Sequence, residues 1–205
     1  MENGSATHLM LFSISILVFA LCPLEIHIQS YSIPHFASLM IIFMLSRRQC
    51  QLTAVGLLTF CAADGTTDHF LHAHVSDIKN YLKHINDKTL AETLQHEVGF
   101  YHEAQSKQDK RILEELFESG AIQVVVASRD INLNCHMVIV MGTQFFEGKE
   151  HRYADYPITD VLQMMGRACR PQHDDTGRCV LMCQAIKKDN AKLSGMEFQC
   201  NIILN

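Results

Sequence analysis

Apolar residues in this chain fall into two kinds of block. The run Leu39-Met40-Ile41-Ile42-Phe43-Met44-Leu45 is apolar without interruption, and residues 123–127, 137–141 and 178–183 are nearly so. Short runs without polar alternation mark strands buried on both faces. The second kind repeats every three or four residues. Residues 106–120 are the clearest case, with Ile112, Leu113, Leu116 and Phe117 forming one stripe. Ser106 is placed as the N-cap, with Asp109 completing a capping box. Arg111 and Glu115 pair across one turn, and Gly120 ends the helix. Helices are also predicted at residues 49–62, 76–84 and 88–96, a short strand at 98–102, and a loop at Asp64-Gly65-Thr66-Thr67-Asp68. Apolar strands alternating with helices imply an α/β fold with a parallel sheet and right-handed crossovers.

Composition narrows the class. The chain has 205 residues, 48% hydrophobic and 19% charged, which is enough to bury a core and fits one or at most two domains. A net charge of −5 argues against strong stand-alone binding to nucleic acid. The eight cysteines are scattered, with no C-x-x-C pair, and among the twelve histidines His72 and His74 stand two positions apart. No zinc-ligand spacing results, so no metal is expected, and buried free thiols imply a reducing compartment. Residues 9–22 are almost purely apolar but shorter than the ~20 residues of a membrane-spanning helix. No Lys or Arg precedes them, as a signal peptide would require.

The chemistry concentrates in Gln163-Met164-Met165-Gly166-Arg167-Ala168-Cys169-Arg170-Pro171. A helix predicted to start at Thr159, its N-cap, with Asp160 in the first turn, would carry Gln163, Arg167 and Arg170 at i, i+4 and i+7 on one face. Val161, Leu162 and Met165 are left for the other side. An amide and two guanidiniums beside Gly166, which allows close approach, suit phosphate oxygens. The alternative is a surface helix with two solvated arginines.

The pattern Q-x-x-G-R-x-x-R-P resembles the last conserved motif of superfamily-two DExH-box RNA helicases. Further runs carry the resemblance: Leu52-Thr53-Ala54, Cys61-Ala62-Ala63-Asp64, Phe70-Leu71-His72, Thr89-Leu90-Ala91-Glu92-Thr93-Leu94, residues 120–129, and residues 155–171. Within the family the chain is most similar to the large double-cassette helicases of the spliceosome. The expected layout is an unmatched apolar segment at 1–22, a helicase C-terminal (second RecA-like) domain with internal gaps at 23–189, and an unmatched tail at 190–205. The resemblance implies a RecA-like parallel sheet with flanking helices, partly truncated. It places Gln163, Gly166, Arg167 and Arg170 at the ATP phosphates, with Gln163, Arg167 and Arg170 catalytic and Arg170 as the arginine finger. It places Ser46 and Arg47 at a strand end, touching RNA backbone or phosphate, beside the reading of a solvated loop. Tyr101-His102-Glu103 would border the RNA path, with Ala104 where the family has glycine. Ser128 and Arg129 would open the motif that couples nucleotide to RNA. Ser46, Arg47, His102, Ser128 and Arg129 are thus the RNA-binding candidates.

The chain also departs from the family. A tryptophan-glycine segment is missing between Asp130 and His136, and a helix is missing after His35-Phe36. There is no G-x-x-x-x-G-K-[ST] loop and no D-E-x-H box. Residues 142–150 only approach the former, with one residue too many and Glu150 where a hydroxyl is needed. ATP and magnesium are therefore expected only together with a first RecA-like domain, and neither with this chain alone. The resulting expectation is a fragment of an ATP-dependent spliceosomal RNA helicase, inactive alone and nuclear. Its partners would be RNA (a small nuclear RNA duplex) and spliceosomal proteins, with no membrane. The alternatives are a non-catalytic interaction module or truncated paralogue, and a membrane-attached protein led by residues 9–22.

Overall fold

The computed structural model describes residues 39–63, 75–128, 131–142, 144–147, 152–173, 176–183 and 200–204. The apolar segment 9–22, the loop 64–68, the gap after His35-Phe36 and Arg129 lie outside them.

The apolar runs become strands. These are β1 (Met40–Phe43), β2 (Val98–Tyr101), β3 (Val124–Ala127), β4 (Met137–Met141), β7 (Arg178–Cys183) and β8 (Cys200–Leu204). They form one six-stranded sheet in the order β2-β3-β1-β4-β7-β8. Every pairing in it is parallel. All four residues of β1, β2 and β3 are buried, as strands covered on both faces require. Ile41, Ile42, Val125, Val126, Val138 and Ile139 are fully inaccessible and form the centre of the core.

The helices are α1 (Arg47–Ala63), α2 (Val75–Leu82), α3 (Lys88–Leu94), α4 (Lys107–Glu118) and α5 (Ile158–Met165). The chain moves one way across the sheet from β1 to β2, then the other way from β2 through β3 to β4 and β7. Right-handed crossovers therefore put α1, α2 and α3 on one face and α4 and α5 on the other. The contacts agree: α1 packs on β2, β3 and α3, and α5 packs on β4. The fold is the α/β, RecA-like arrangement expected, a parallel sheet with flanking helices.

Two elements were not anticipated. Gln144–Glu147 (β5) and Arg152–Asp155 (β6) pair antiparallel as a separate hairpin. The stretch that approaches a phosphate loop in sequence is thus a strand, not a turn opening a helix. β8 lies within the tail the sequence left unmatched.

Helix α4 has the predicted stripe, with Ile112, Leu113, Leu116 and Phe117 buried, and its Arg111–Glu115 pair closes at 3.1 Å. Gly120 (φ 76°) ends it in a Schellman motif, with Ala121 N–H donating to the Leu116 carbonyl and Gly120 N–H to that of Phe117, both at 3.0 Å. The capping box is only half made. Ser106 Oγ accepts the Asp109 N–H at 3.0 Å. The Asp109 carboxylate instead reaches across to the turn before α3, accepting from Asn86 N at 2.9 Å and Asn86 Nδ2 at 3.3 Å. Asp109 is 2% exposed, so it acts as a buried tether between α4 and the α2–α3 turn. Truncation leaves the Asn86 donors without this acceptor, and losses of this kind cost about 1–3 kcal/mol. We expect Asp109→Ala to lower stability by that amount in urea titration; a midpoint unchanged from wild type would contradict the tether.

Candidate functional site

The candidate residues form two groups at opposite ends of the sheet. The first lies at the carboxyl ends of β1, β2 and β3, where parallel α/β sheets place ligands. Ser46 follows β1 and is the cap of α1: its Oγ donates to Gln49 Oε1 at 3.1 Å and accepts the Gln49 N–H at 3.4 Å. The helix therefore begins at Arg47, two residues before the predicted start, because S-x-x-Q is a capping box. Arg47 is exposed at the first helical position and pairs through Nε with Glu103 Oε1 at 3.3 Å. Ser128, at the end of β3, donates to Glu103 Oε2, also at 3.3 Å. Its backbone N–H donates to the Tyr101 carbonyl at 2.9 Å, locking the ends of β2 and β3 together.

His102 sits at the end of β2, its ring stacked on Phe100 with centroids 5.9 Å apart. Its Nδ1 is buried without a hydrogen-bond partner among the described residues. Burial lowers its pKa below the ordinary 6.5, against the opposing pull of the Glu103 carboxylate. The turn that carries Glu103 is braced. Gln105 accepts the His102 N–H at 3.1 Å and donates to the Phe100 carbonyl at 2.9 Å, while Lys110 Nζ donates to the Glu103 carbonyl at 3.0 Å. Lys110 also lies over the Tyr101 ring, 5.2 Å from its centroid. Three of the five RNA-binding candidates, Arg47, His102 and Ser128, thus meet at one turn, where the Glu103 carboxylate bonds Arg47 and Ser128. Beneath them Cys50 is buried, and burial, with the Glu103 charge second, pushes its thiol up to about 12.

The second group lies at the amino ends of the strands. Helix α5 starts at Ile158 behind Pro157, which makes no side-chain cap bond, so Thr159 is inside the helix rather than its N-cap. The helix stops at Met165, with Gly166 as C-cap. Gln163, Arg167 and Arg170 therefore do not share a helix face: Gln163 is on the last turn, Arg167 in the turn beyond and Arg170 in irregular chain. The buried side of α5 is Val161, Met164 and Met165, with Leu162 only half-buried. Gln163 and Gly166 are exposed. Arg167 Nη1 donates to Asn132 Oδ1 at 2.6 Å, and its carbonyl accepts the Cys135 N–H at 2.9 Å. Arg170 is buried, 8% exposed, and engaged by neighbouring groups. Gly177 lies so close to the Ala168 carbonyl that a Cβ there would collide with it, which fixes how the chain returns to β7.

Residues 131–135 join the two groups. They lead into β4 with alternating burial: Ile131, Leu133 and Cys135 buried, Asn132 and Asn134 exposed. Asn132 and Cys135 were missed in the sequence, though strict alternation in Ile-Asn-Leu-Asn-Cys was the available signal.

No protein-family model matches the chain. Among curated proteins, the U5 small nuclear ribonucleoprotein 200 kDa helicases of Drosophila melanogaster and Homo sapiens are each 47% identical over 191 residues, covering 82% of this chain and 9% of the relative. The DExH-box ATP-dependent RNA helicase DExH12 of Arabidopsis thaliana is 38% identical over 196 residues, covering 83% of the chain and 9% of the relative. Activating signal cointegrator 1 complex subunit 3 of Danio rerio is 38% identical over 191 residues, covering 82% and 12%. By sequence and fold the chain belongs with the DExH-box RNA helicases, and it spans about a tenth of the length of these relatives. The 191 matched residues exceed the 82% of this 205-residue chain that they take in, so the relatives carry internal residues that it lacks.

Two outcomes follow from the local chemistry. Folding disfavours protonation of His102, so its contribution to stability is full above pH 6.5 and is lost as pH falls through the lowered folded value. An NMR titration is expected to place its midpoint below 6.5; a midpoint at or above that value would contradict the burial. Thiolate is the reactive form of cysteine. Iodoacetamide at pH 8 should therefore label exposed Cys169 and spare Cys50 in the folded protein, and equal rates at the two would exclude the packed site.

Proposed function

We propose that this chain provides the second RecA-like domain of an ATP-dependent RNA helicase that unwinds small nuclear RNA duplexes in pre-mRNA splicing in the nucleus, alongside spliceosomal proteins. The observation that carries the reading is the division of its candidate residues between the two ends of one parallel sheet. Arg47, His102 and Ser128 converge at the carboxyl ends and suit an RNA backbone. Gln163, Gly166, Arg167 and Arg170 lie at the amino ends and suit nucleotide phosphates. The names of the relatives, helicases of the U5 particle among them, support the same reading.

The roles follow from the side chains. Arg47 supplies a guanidinium and Ser128 a hydroxyl donor to backbone phosphates, while His102 offers a flat ring on which a base can stack. Arg129 belongs to the same path by sequence. Arg167 and Arg170 stabilise charge on a transferring phosphoryl group and Gln163 orients the attacking water, with Arg170 as the finger. ATP and magnesium would be gripped by a first RecA-like domain, since this sequence has no phosphate loop and no DExH box. A loop-and-box domain is therefore required before these arginines can act on a nucleotide.

Two measurements test this. The purified chain should show no ATP turnover above background; turnover that Arg170→Ala abolishes would overturn the division of labour. Arg47→Ala should weaken binding of single-stranded RNA and flatten the salt dependence by about 0.7 in log–log slope, the share of one phosphate contact. An unchanged affinity and slope would remove the RNA assignment of this edge.

A further inference from the structure

We propose that Glu103 occupies the phosphate subsite of the RNA edge in the free domain, as a latch that an RNA backbone must displace. The inference rests on the RNA reading of that edge and adds to it a residue and a mode of control.

The argument starts from what surrounds the carboxylate. Its two oxygens are both used, Oε1 by the Arg47 guanidinium and Oε2 by the Ser128 hydroxyl, each at 3.3 Å. A guanidinium and a hydroxyl converging on adjacent oxygens of one anion is the donor set that a phosphate also takes. The partners come from three different strand ends, β1, β2 and β3, so sequence neighbours did not bring them together. The anion is also held in place. Gln105 closes the turn on both sides, and Lys110 fixes the Glu103 carbonyl from α4. Helix α1 begins at Arg47 with Ser46 as its cap, so the guanidinium too leaves from a fixed point. The site is therefore built around an anion, and the protein's own carboxylate fills it.

The latch is a weak one. The Arg47 and Glu103 side chains are 60% and 51% exposed. Exposed pairs of this kind are worth little and are screened by salt. An RNA phosphate can therefore displace the carboxylate, at a modest cost in affinity, while an isolated charge or a weakly held strand does not. Once displaced, Glu103 adds like-charge repulsion, which favours release. The RNA edge is thus tuned towards passing contacts rather than tight holding.

The experiment measures binding of a fluorescent oligouridylate to the full chain by anisotropy across a salt series, for wild type, Glu103→Gln, Arg47→Ala and the double variant. Glutamine keeps shape and removes charge at an exposed position, and thermal melting checks that each variant is folded. Glu103→Gln should bind about three- to five-fold more tightly at low salt, the range that an exposed ion pair supports. In the Arg47→Ala background the gain should largely vanish, because the two side chains are coupled. Unchanged or weaker binding by Glu103→Gln overturns the latch. So does a gain that persists in full without Arg47, which would reflect net charge alone. If wild type and Arg47→Ala bind alike, the RNA reading of this edge fails and the latch falls with it; if Arg47→Ala weakens binding while Glu103→Gln changes nothing, only the latch fails.

Discussion

Parallel strands cannot be joined by a hairpin, so each link must carry the chain back to the other end of the sheet, and this is usually done by a helix. Between β3 and β4 the chain does it without one. The described part of the link, residues 131–136, is a strap without helix that leads into β4, and β1 lies between the two strands it serves. Its inward residues, Ile131, Leu133 and Cys135, are at most 3% exposed and replace the apolar face that a crossover helix would offer. The order β2-β3-β1-β4, and with it the position of β1 at the centre, depends on this strap closing.

The same strap couples the two ends of the sheet. Ser128 at its start is tied to Glu103 and to the end of β2. Asn132 and Cys135 near its finish hold the side chain and the carbonyl of Arg167. Any coupling between the edges is expected to run along this segment, and its strength depends on how tightly Leu133 and Cys135 are packed.

The fold was legible where burial dictates sequence. Continuous apolar runs gave β1, β3, β4 and β7 nearly to the residue, because a strand covered on both faces tolerates nothing else. The α4 stripe and the Gly120 stop were equally plain. Other features were set by tertiary partners and left only faint local marks. Asp109 satisfies the capping-box pattern, yet its carboxylate is drawn 23 positions back in the chain to Asn86. Helix α5 was extended too far because Arg167 and Arg170 continue the helical spacing, while the chain leaves the helix at Gly166 to bring Arg167 onto Asn132. The β5–β6 hairpin was hidden behind a near match to a phosphate loop. At the site, the resemblance supplied the arginines, the serines and the segment that holds Glu103, but not the part its carboxylate plays, since that depends on three strand ends meeting.

The arginines that the proposal gives to phosphates are not left bare. Each described guanidinium assigned to a phosphate is already engaged: Arg47 by Glu103, Arg167 by Asn132, and Arg170 within its buried surroundings. An arginine left bare would attract any anion, and polyanions are abundant where RNA is handled. Pairing it with a neutral amide or a half-exposed carboxylate costs little affinity for a correctly placed phosphate, because those partners are weak. It costs more for an anion that meets only one arginine at a time, since one new contact then only replaces one old one. On the proposed RNA reading, selectivity for an extended backbone would follow from several such replacements made together. The chain's net charge of −5 works in the same direction, setting a repulsive background that only correctly placed, multiple contacts overcome.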